Sequence, residues 1–118
     1  MTKILVVDDE LLMRKSLEKI LSTKGYTIVT AANGQEGVET FKTEAPDLVL
    51  MDLSMPVMHG FDATKAIRAT GSKVKILVLT AENQQANYEE VYAAGADGYM
   101  SKPVNFENLL SRIAEELG

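Results

Sequence analysis

Leu48-Val49-Leu50-Met51-Asp52 runs apolar for four residues and then stops on a carboxylate. Four apolar side chains in succession lack the alternation of a half-exposed strand. They suit a short strand covered on both faces, as in a parallel sheet. An unpaired carboxylate at the end of such a strand is costly to bury, so Asp52 requires partners. Working outward, the pattern recurs. Strands are expected over Lys3–Asp8, Tyr26–Ala31, Leu48–Asp52, Lys75–Thr80 and Gly98–Ser101. Between them lie stretches of helical period. Leu12, Leu17, Ile20 and Leu21 are expected on the inner face of the first helix, with Gly25 as its stop. The second starts at Asn33-Gly34, turns Val38 and Phe41 inward, and cannot continue past Pro46. The third runs from about Phe61 to Ala69 and the fourth from about Gln84 to Ala94. The fifth carries the stripe Phe106, Leu109, Leu110, Ile113 and Leu117 behind an Asn105 cap.

Five β-α units in succession define an α/β fold, a parallel sheet with helices on both faces. Right-handed crossovers leave few topologies. The expected one is a single doubly wound (βα)5 domain over residues 1–118, its five strands in the flavodoxin-like order 2-1-3-4-5. An eight-unit barrel is out of reach for 118 residues. A hydrophobic fraction of 46% supports one core, and the absence of Cys excludes disulfides and thiolate metal sites. Net charge is −5 without a basic cluster, which argues against direct nucleic-acid or membrane binding. Ile4–Val7 is too short for a signal or membrane segment, so the expected location is the cytoplasm.

The residues that follow each apolar run carry the chemistry. Ile4–Val7 leads into Asp8-Asp9, Leu48–Met51 into Asp52, Ile76–Leu79 into Thr80, and the fifth run into Lys102-Pro103. The second, the expected edge strand, leads only into Ala31-Ala32. In sheets of this order, ligands bind beyond the carboxyl ends of the strands, at the switch point between strands 1 and 3. Each residue has a plainer reading: Asp8-Asp9-Glu10 as a helix cap, Thr80 as a β-branched strand residue, Lys102 as a solvated cation. Their joint occurrence around one crevice outweighs those readings. Three converging carboxylates repel one another, and a hard divalent cation offsets the repulsion. An all-oxygen ligand set favours Mg²⁺. Lys102 offers a positive charge and Thr80 a hydroxyl to phosphate oxygens. Phosphoryl transfer needs mainly positioning and charge stabilisation, which this set supplies.

These segments resemble the receiver domains of two-component response regulators. The resemblance rests on Ile4–Glu10, Pro46–Gly60, Ile76–Ala81 and Gly95–Pro103, in order along nearly the whole chain. It extends to single-domain forms of the chemotaxis-regulator and sporulation-relay kind. It implies that Asp52 is the phosphoacceptor, charged by a sensor histidine kinase or phosphotransfer protein. Asp9 would bind Mg²⁺ directly and Asp8 largely through water, with Asp52 and the Ser54 backbone carbonyl completing the protein ligands. The Ala81 N–H and Lys102 would hold the phosphoryl group, and the Lys102–Pro103 peptide would be cis. Thr80 and Tyr99 would form a switch that alters the face of helix 4, strand 5 and helix 5 for a downstream protein target. Kinase recognition would involve Met13, Arg14, Leu17 and Pro103–Phe106. The resemblance further implies self-catalysed phosphorylation and dephosphorylation only, and a monomer or weak phosphorylation-linked dimer.

Some positions depart from the family pattern. His59 stands where Asp is common and is expected to be an exposed turn residue. Ser54 and Glu82 occupy positions that tune acyl-phosphate lifetime, here expected to be intermediate. Gly37 replaces a usual Ala, at up to about 1 kcal/mol of helix stability. A phosphatase using Asp52 as a transient nucleophile is disfavoured, because Ser54 stands where a second Asp is needed and no substrate cap is visible. A flavin or nucleotide module would require a Gly- or Ser/Thr-rich first loop, whereas Asp8-Asp9-Glu10 would repel a phosphate in the absence of a metal. A degenerate receiver is disfavoured by the intact acidic, hydroxyl and lysine positions. No output region is expected after the fifth helix, in keeping with a stand-alone regulator, a relay component or one domain of a longer protein.

Overall fold

The computed structural model describes residues 2–53, 60–81 and 88–118. Strand and helix alternate: β1 (Lys3–Val7), α1 (Leu11–Ser22), β2 (Thr27–Ala31), α2 (Gly34–Glu44), β3 (Leu48–Asp52), α3 (Gly60–Ala69), β4 (Lys75–Ala81), α4 (Tyr88–Ala93), β5 (Gly98–Lys102) and α5 (Phe106–Leu117). The strands form one parallel sheet in the order β2-β1-β3-β4-β5. Strand limits differ from expectation by a residue: Asp8 and Tyr26 fall outside, while Ala81 and Lys102 fall inside. The Asp8 N–H still donates to the Ala31 carbonyl at 3.1 Å, so β1 keeps its partner to the last residue before the loop. The expected beginning of the fourth helix at Gln84 lies outside the described residues, as do Ser54, His59 and Glu82.

The continuous apolarity of the strands is explained by what covers them. Ile4, Val6, Leu48, Leu50, Leu77 and Leu79 pack on one side with Leu17 and Leu21 of α1 and Leu109 and Ile113 of α5. The alternate residues Leu5, Val7, Val49, Met51, Ile76 and Val78 pack on the other side with Val38, Ala63, Ile67 and Val91. Burial of each large side chain stabilises by roughly 1.5–3 kcal/mol. A strand polar on either face could not occupy the centre of this sheet.

Helix ends follow local chemistry. Asn33 and Asn105 cap α2 and α5, their side chains accepting from the backbone N–H groups of Glu36 at 2.9 Å and Asn108 at 3.1 Å. Past α1, Gly25 takes φ 87°, a left-handed conformation suited to glycine. α2 ends at Glu44, and Ala45 adopts φ 46° immediately before Pro46, which disfavours helical geometry in its predecessor.

Two expectations are corrected. Leu12 is 75% exposed rather than inward. At 3.6 residues per turn it stands about 140° around the helix from Leu17. Met13, nearer the stripe, packs on the core instead. Gly37 is not simply a weak helix residue. A Cβ at this position would lie 2.9 Å and 3.0 Å from the two methyl carbons of Val7. Glycine therefore lets α2 approach β1 just below the acidic loop, and an Ala side chain would have to displace the stiff Val7.

At the amino-terminal end of the sheet, Asp97 accepts from the Ile76 N–H at 2.9 Å and from Arg68 Nη2 at 2.8 Å. Arg68 also donates to the carbonyls of Gly95 and Val74. These bonds anchor β4 against β5 in the register that pairs Ala81 with Lys102.

Candidate functional site

Register assembles the site at the carboxyl ends of the strands. Val7 pairs with Met51, so Asp8 and Asp52 follow side by side on the two central strands. Asp52 pairs with Leu79, which places Thr80 one step beyond, and Ala81 pairs with Lys102. Asp8 and Asp52 are 1% and 2% exposed, and Thr80 is buried. Asp9 is exposed at the mouth. One oxygen from each of Asp8, Asp9 and Asp52 lies within 4.8 Å of the others. The second strand, on the sheet edge, adds no group to this cluster, as its bland ending led one to expect.

Lys102 reaches back over the end of the sheet. Its Nζ lies 3.3 Å from Asp52 Oδ1 and 3.5 Å from Asp8 Oδ2. Burial acts to lower the Lys102 pKa. Asp52 and then Asp8, by charge and hydrogen bonding, outweigh it and hold the ammonium above its ordinary 10.5. Lys102 is thus a partly buried, firmly protonated cation, not a solvated one. The Lys102–Pro103 peptide is cis.

The loop between β1 and α1 is not an ordinary helix cap. Glu10 occupies the cap position without a side-chain hydrogen bond. Asp8 Oδ1 instead accepts from the Glu10 N–H at 2.9 Å, leaving Asp8 Oδ2 toward Lys102. Arg14 Nη1 donates to the Asp8 carbonyl at 2.6 Å, a contact the sequence did not announce beyond an arginine one turn into a helix behind two aspartates. Gly60, the first residue of α3, lies against β3. A Cβ there would collide with the Asp52 carbonyl oxygen and come within 2.8 Å of Leu53 Cα.

Thr80 and Tyr99 lie on the same face of the sheet, because Val78 and Tyr99 are register partners and side chains alternate along β4. Tyr99 is half-buried against the core, with its ring edge-on to Tyr92 at 6.2 Å. The Ser54 carbonyl, expected as a metal ligand, lies outside the described residues, and Ala81 is described only as a strand residue of β4.

Among the described residues the cluster offers carboxylate oxygens alone. That donor set suits a hard cation such as Mg²⁺, which takes one or two carboxylates and retains other oxygen ligands. The exposed Asp9 leaves one side open for them.

Fold and site together define a class in which an aspartate at the end of a central parallel strand is surrounded by acids and a lysine. The chain belongs to the response regulator receiver domain family, whose pattern matches residues 4–114. It is 39% identical over 111 residues to the response regulator MprA of Mycolicibacterium vanbaalenii and 40% identical to that of Mycobacterium ulcerans, in each case across 94% of this chain and 48% of the relative. The chain thus spans about half the length of the curated relatives it matches. Among solved structures it resembles chemotaxis protein CheY4 of Vibrio cholerae, with a TM-score of 0.91 and 36% identity, covering 98% of both chains. A CheY-like receiver domain protein of Methanospirillum hungatei gives a TM-score of 0.93 at 32% identity, covering 99% of this chain and 94% of that one. Receiver domains of this kind are signalling phosphoacceptors of two-component systems, not classical enzymes.

Proposed function

We propose that residues 1–118 form one receiver domain that works as a phosphorylation-activated switch, with Asp52 accepting a phosphoryl group from a sensor histidine kinase or phosphotransfer protein. The observation that carries this reading is the pairing of a nearly inaccessible Asp52 with Lys102 at 3.3 Å inside a three-carboxylate cluster. In the transfer, an Asp52 carboxylate oxygen forms a bond to phosphorus while the bond from phosphorus to the donor nitrogen breaks. The bonding pair leaves with the imidazole, which takes up a proton. Lys102 Nζ stabilises charge on the phosphoryl oxygens, and the Ala81 N–H donates to them. Asp8, Asp9, Asp52 and the Ser54 carbonyl would hold Mg²⁺, which neutralises acid repulsion and charge on the transferred group.

Phosphorylation of Asp52, which turns its carboxylate into an acyl phosphate, adds about one negative charge. Thr80 then moves toward the phosphoryl group, and Tyr99 follows into the space behind it, changing the surface of α4, β5 and α5 offered to a downstream protein. Reversal of a 1:99 equilibrium requires about 5.5 kcal/mol of differential stabilisation. The domain acts as a monomer or weak phosphorylation-linked dimer in the cytoplasm; no described helix is long and apolar enough to cross a membrane. Kinase docking involves the start of α1 and the loop after β5. Leu17 is removed from that surface because it is fully buried; Leu11 and Leu12, 54% and 75% exposed, replace it beside Met13.

Incubation with a small phosphoramidate or acyl phosphate and Mg²⁺, followed by intact-mass measurement, tests the reading. The wild-type chain is expected to gain one phosphoryl group, and Asp52→Ala none. Equal labelling of both would reject Asp52 as acceptor.

A further inference from the structure

We propose that Arg14 is a positioning residue for the metal-binding loop: its guanidinium holds the Asp8–Asp9 peptide in the orientation that lets Asp9 and Asp8 bind a divalent cation together. The inference rests on the assignment of that acidic cluster as the Mg²⁺ site.

Besides its contact with Lys102, Asp8 is held by three shorter bonds. Its N–H donates to Ala31 at 3.1 Å, its Oδ1 accepts from Glu10 at 2.9 Å, and its carbonyl oxygen accepts from Arg14 Nη1 at 2.6 Å. Ala31 lies on β2 and Glu10 in the loop itself, whereas Arg14 brings its bond from the first turns of α1. The Arg14 N–H donates to the Glu10 carbonyl at 3.0 Å, so the same residue closes the loop through its backbone and its side chain. Asp9 sits between these fixed points, exposed. The peptide that Arg14 grips is the one leading into Asp9, and its plane sets the direction of the Asp9 side chain. A charged donor at 2.6 Å to a neutral carbonyl is a short, strong bond. It uses a group that, from its charge alone, belongs far from a cation site.

That last point separates positioning from electrostatics. Deleting a cation near three carboxylates, by charge alone, tightens Mg²⁺ binding. Loss of orientation weakens it, because Mg²⁺ tolerates little departure from octahedral geometry. Arg14 is only partly buried and lines a shallow groove with Leu11, Lys15, Glu18 and Thr30. Its replacement therefore opens no core cavity.

The test is calorimetric titration of Mg²⁺ into the wild-type chain, Arg14→Gln, Arg14→Lys and Asp9→Asn, with urea unfolding measured on each. Arg14→Gln is expected to raise the Mg²⁺ Kd about tenfold. Arg14→Lys, which keeps the charge and can reach the carbonyl with one donor, should recover part of the affinity. In assays with a small phosphodonor, which bypasses kinase docking, Arg14→Gln should raise the Mg²⁺ concentration for half-maximal phosphorylation. Unchanged or tighter Mg²⁺ binding in a folded Arg14→Gln overturns the proposal while leaving the cluster assignment standing. Failure of both Arg14 variants to unfold cooperatively assigns Arg14 to folding and also overturns it. A wild-type chain that binds no Mg²⁺ rejects the cluster assignment itself, and with it the role of Arg14.

Discussion

Replacement of Lys102 by Met is expected to slow phosphorylation of Asp52 by about a hundredfold and to destabilise the metal-free fold by roughly 1–3 kcal/mol at neutral pH. Lys102 is a cationic partner of both Asp8 and Asp52, whose side chains are 1% and 2% exposed. Removing one member of a deeply buried ion pair costs about 3–5 kcal/mol. The smaller figure applies here because the Lys102 side chain is itself 24% exposed, so water enters beside it. Added Mg²⁺ should restore part of the lost stability by binding the folded state alone. The wild-type pH profile provides an independent check. Because Asp52 and Asp8 raise the Lys102 pKa above 10.5 against the effect of burial, the contribution of Lys102 is fully present below that value. It is lost as pH rises through the higher folded-state pKa. Urea unfolding of wild type and Lys102→Met should therefore differ most at neutral pH and converge in strongly alkaline solution. Equal stabilities at neutral pH, or wild-type phosphorylation of the variant, would contradict this role.

Gly60→Ala should be nearly as damaging, although it removes no functional group. The new Cβ meets backbone, the Asp52 carbonyl oxygen and Leu53 Cα, and backbone at the end of a central strand has nowhere to retreat. Overpacking of this kind costs about 1–3 kcal/mol. The larger effect falls on the site. Displacement of a reacting group by 1 Å can cost about a hundredfold in rate, and relief of the clash moves the residue that carries the acceptor oxygen. Urea unfolding and the phosphorylation rate, measured on the same sample, separate the two effects. A Gly60→Ala chain with wild-type rate would show that the contact relaxes away from Asp52.

How much was legible beforehand depended on the range of the interaction. The sheet order followed from five apolar runs and from polar endings on all but the second strand, which lies at one edge, since strands buried on both faces tolerate few sequences. Asp8, Asp9, Asp52, Thr80 and Lys102 could be gathered because each terminates a run, and parallel register brings run ends to one level. Leu12 and Leu17 show the limit of reading apolarity without angle: one faces solvent, the other the core, and only Leu12 was available to a partner. Gly37 and Gly60 carry no signal for the space they leave empty, because that space is defined by Val7 and by the Asp52 backbone. The resemblance pointed to Arg14 only as a residue for kinase recognition. Its bond to a backbone carbonyl is set by the loop path, which no side-chain pattern encodes.

Reduction of the phosphorylated chain with borohydride tests the central claim most directly. Borohydride converts an aspartyl phosphate to homoserine, and peptide mass mapping then locates the change. After treatment with phosphodonor and Mg²⁺, homoserine is predicted in place of Asp52 and nowhere else, with none formed when the metal is chelated. Homoserine in place of Asp8 or Asp9, or an unaltered chain, would contradict the assignment of Asp52 as the residue that receives the phosphoryl group.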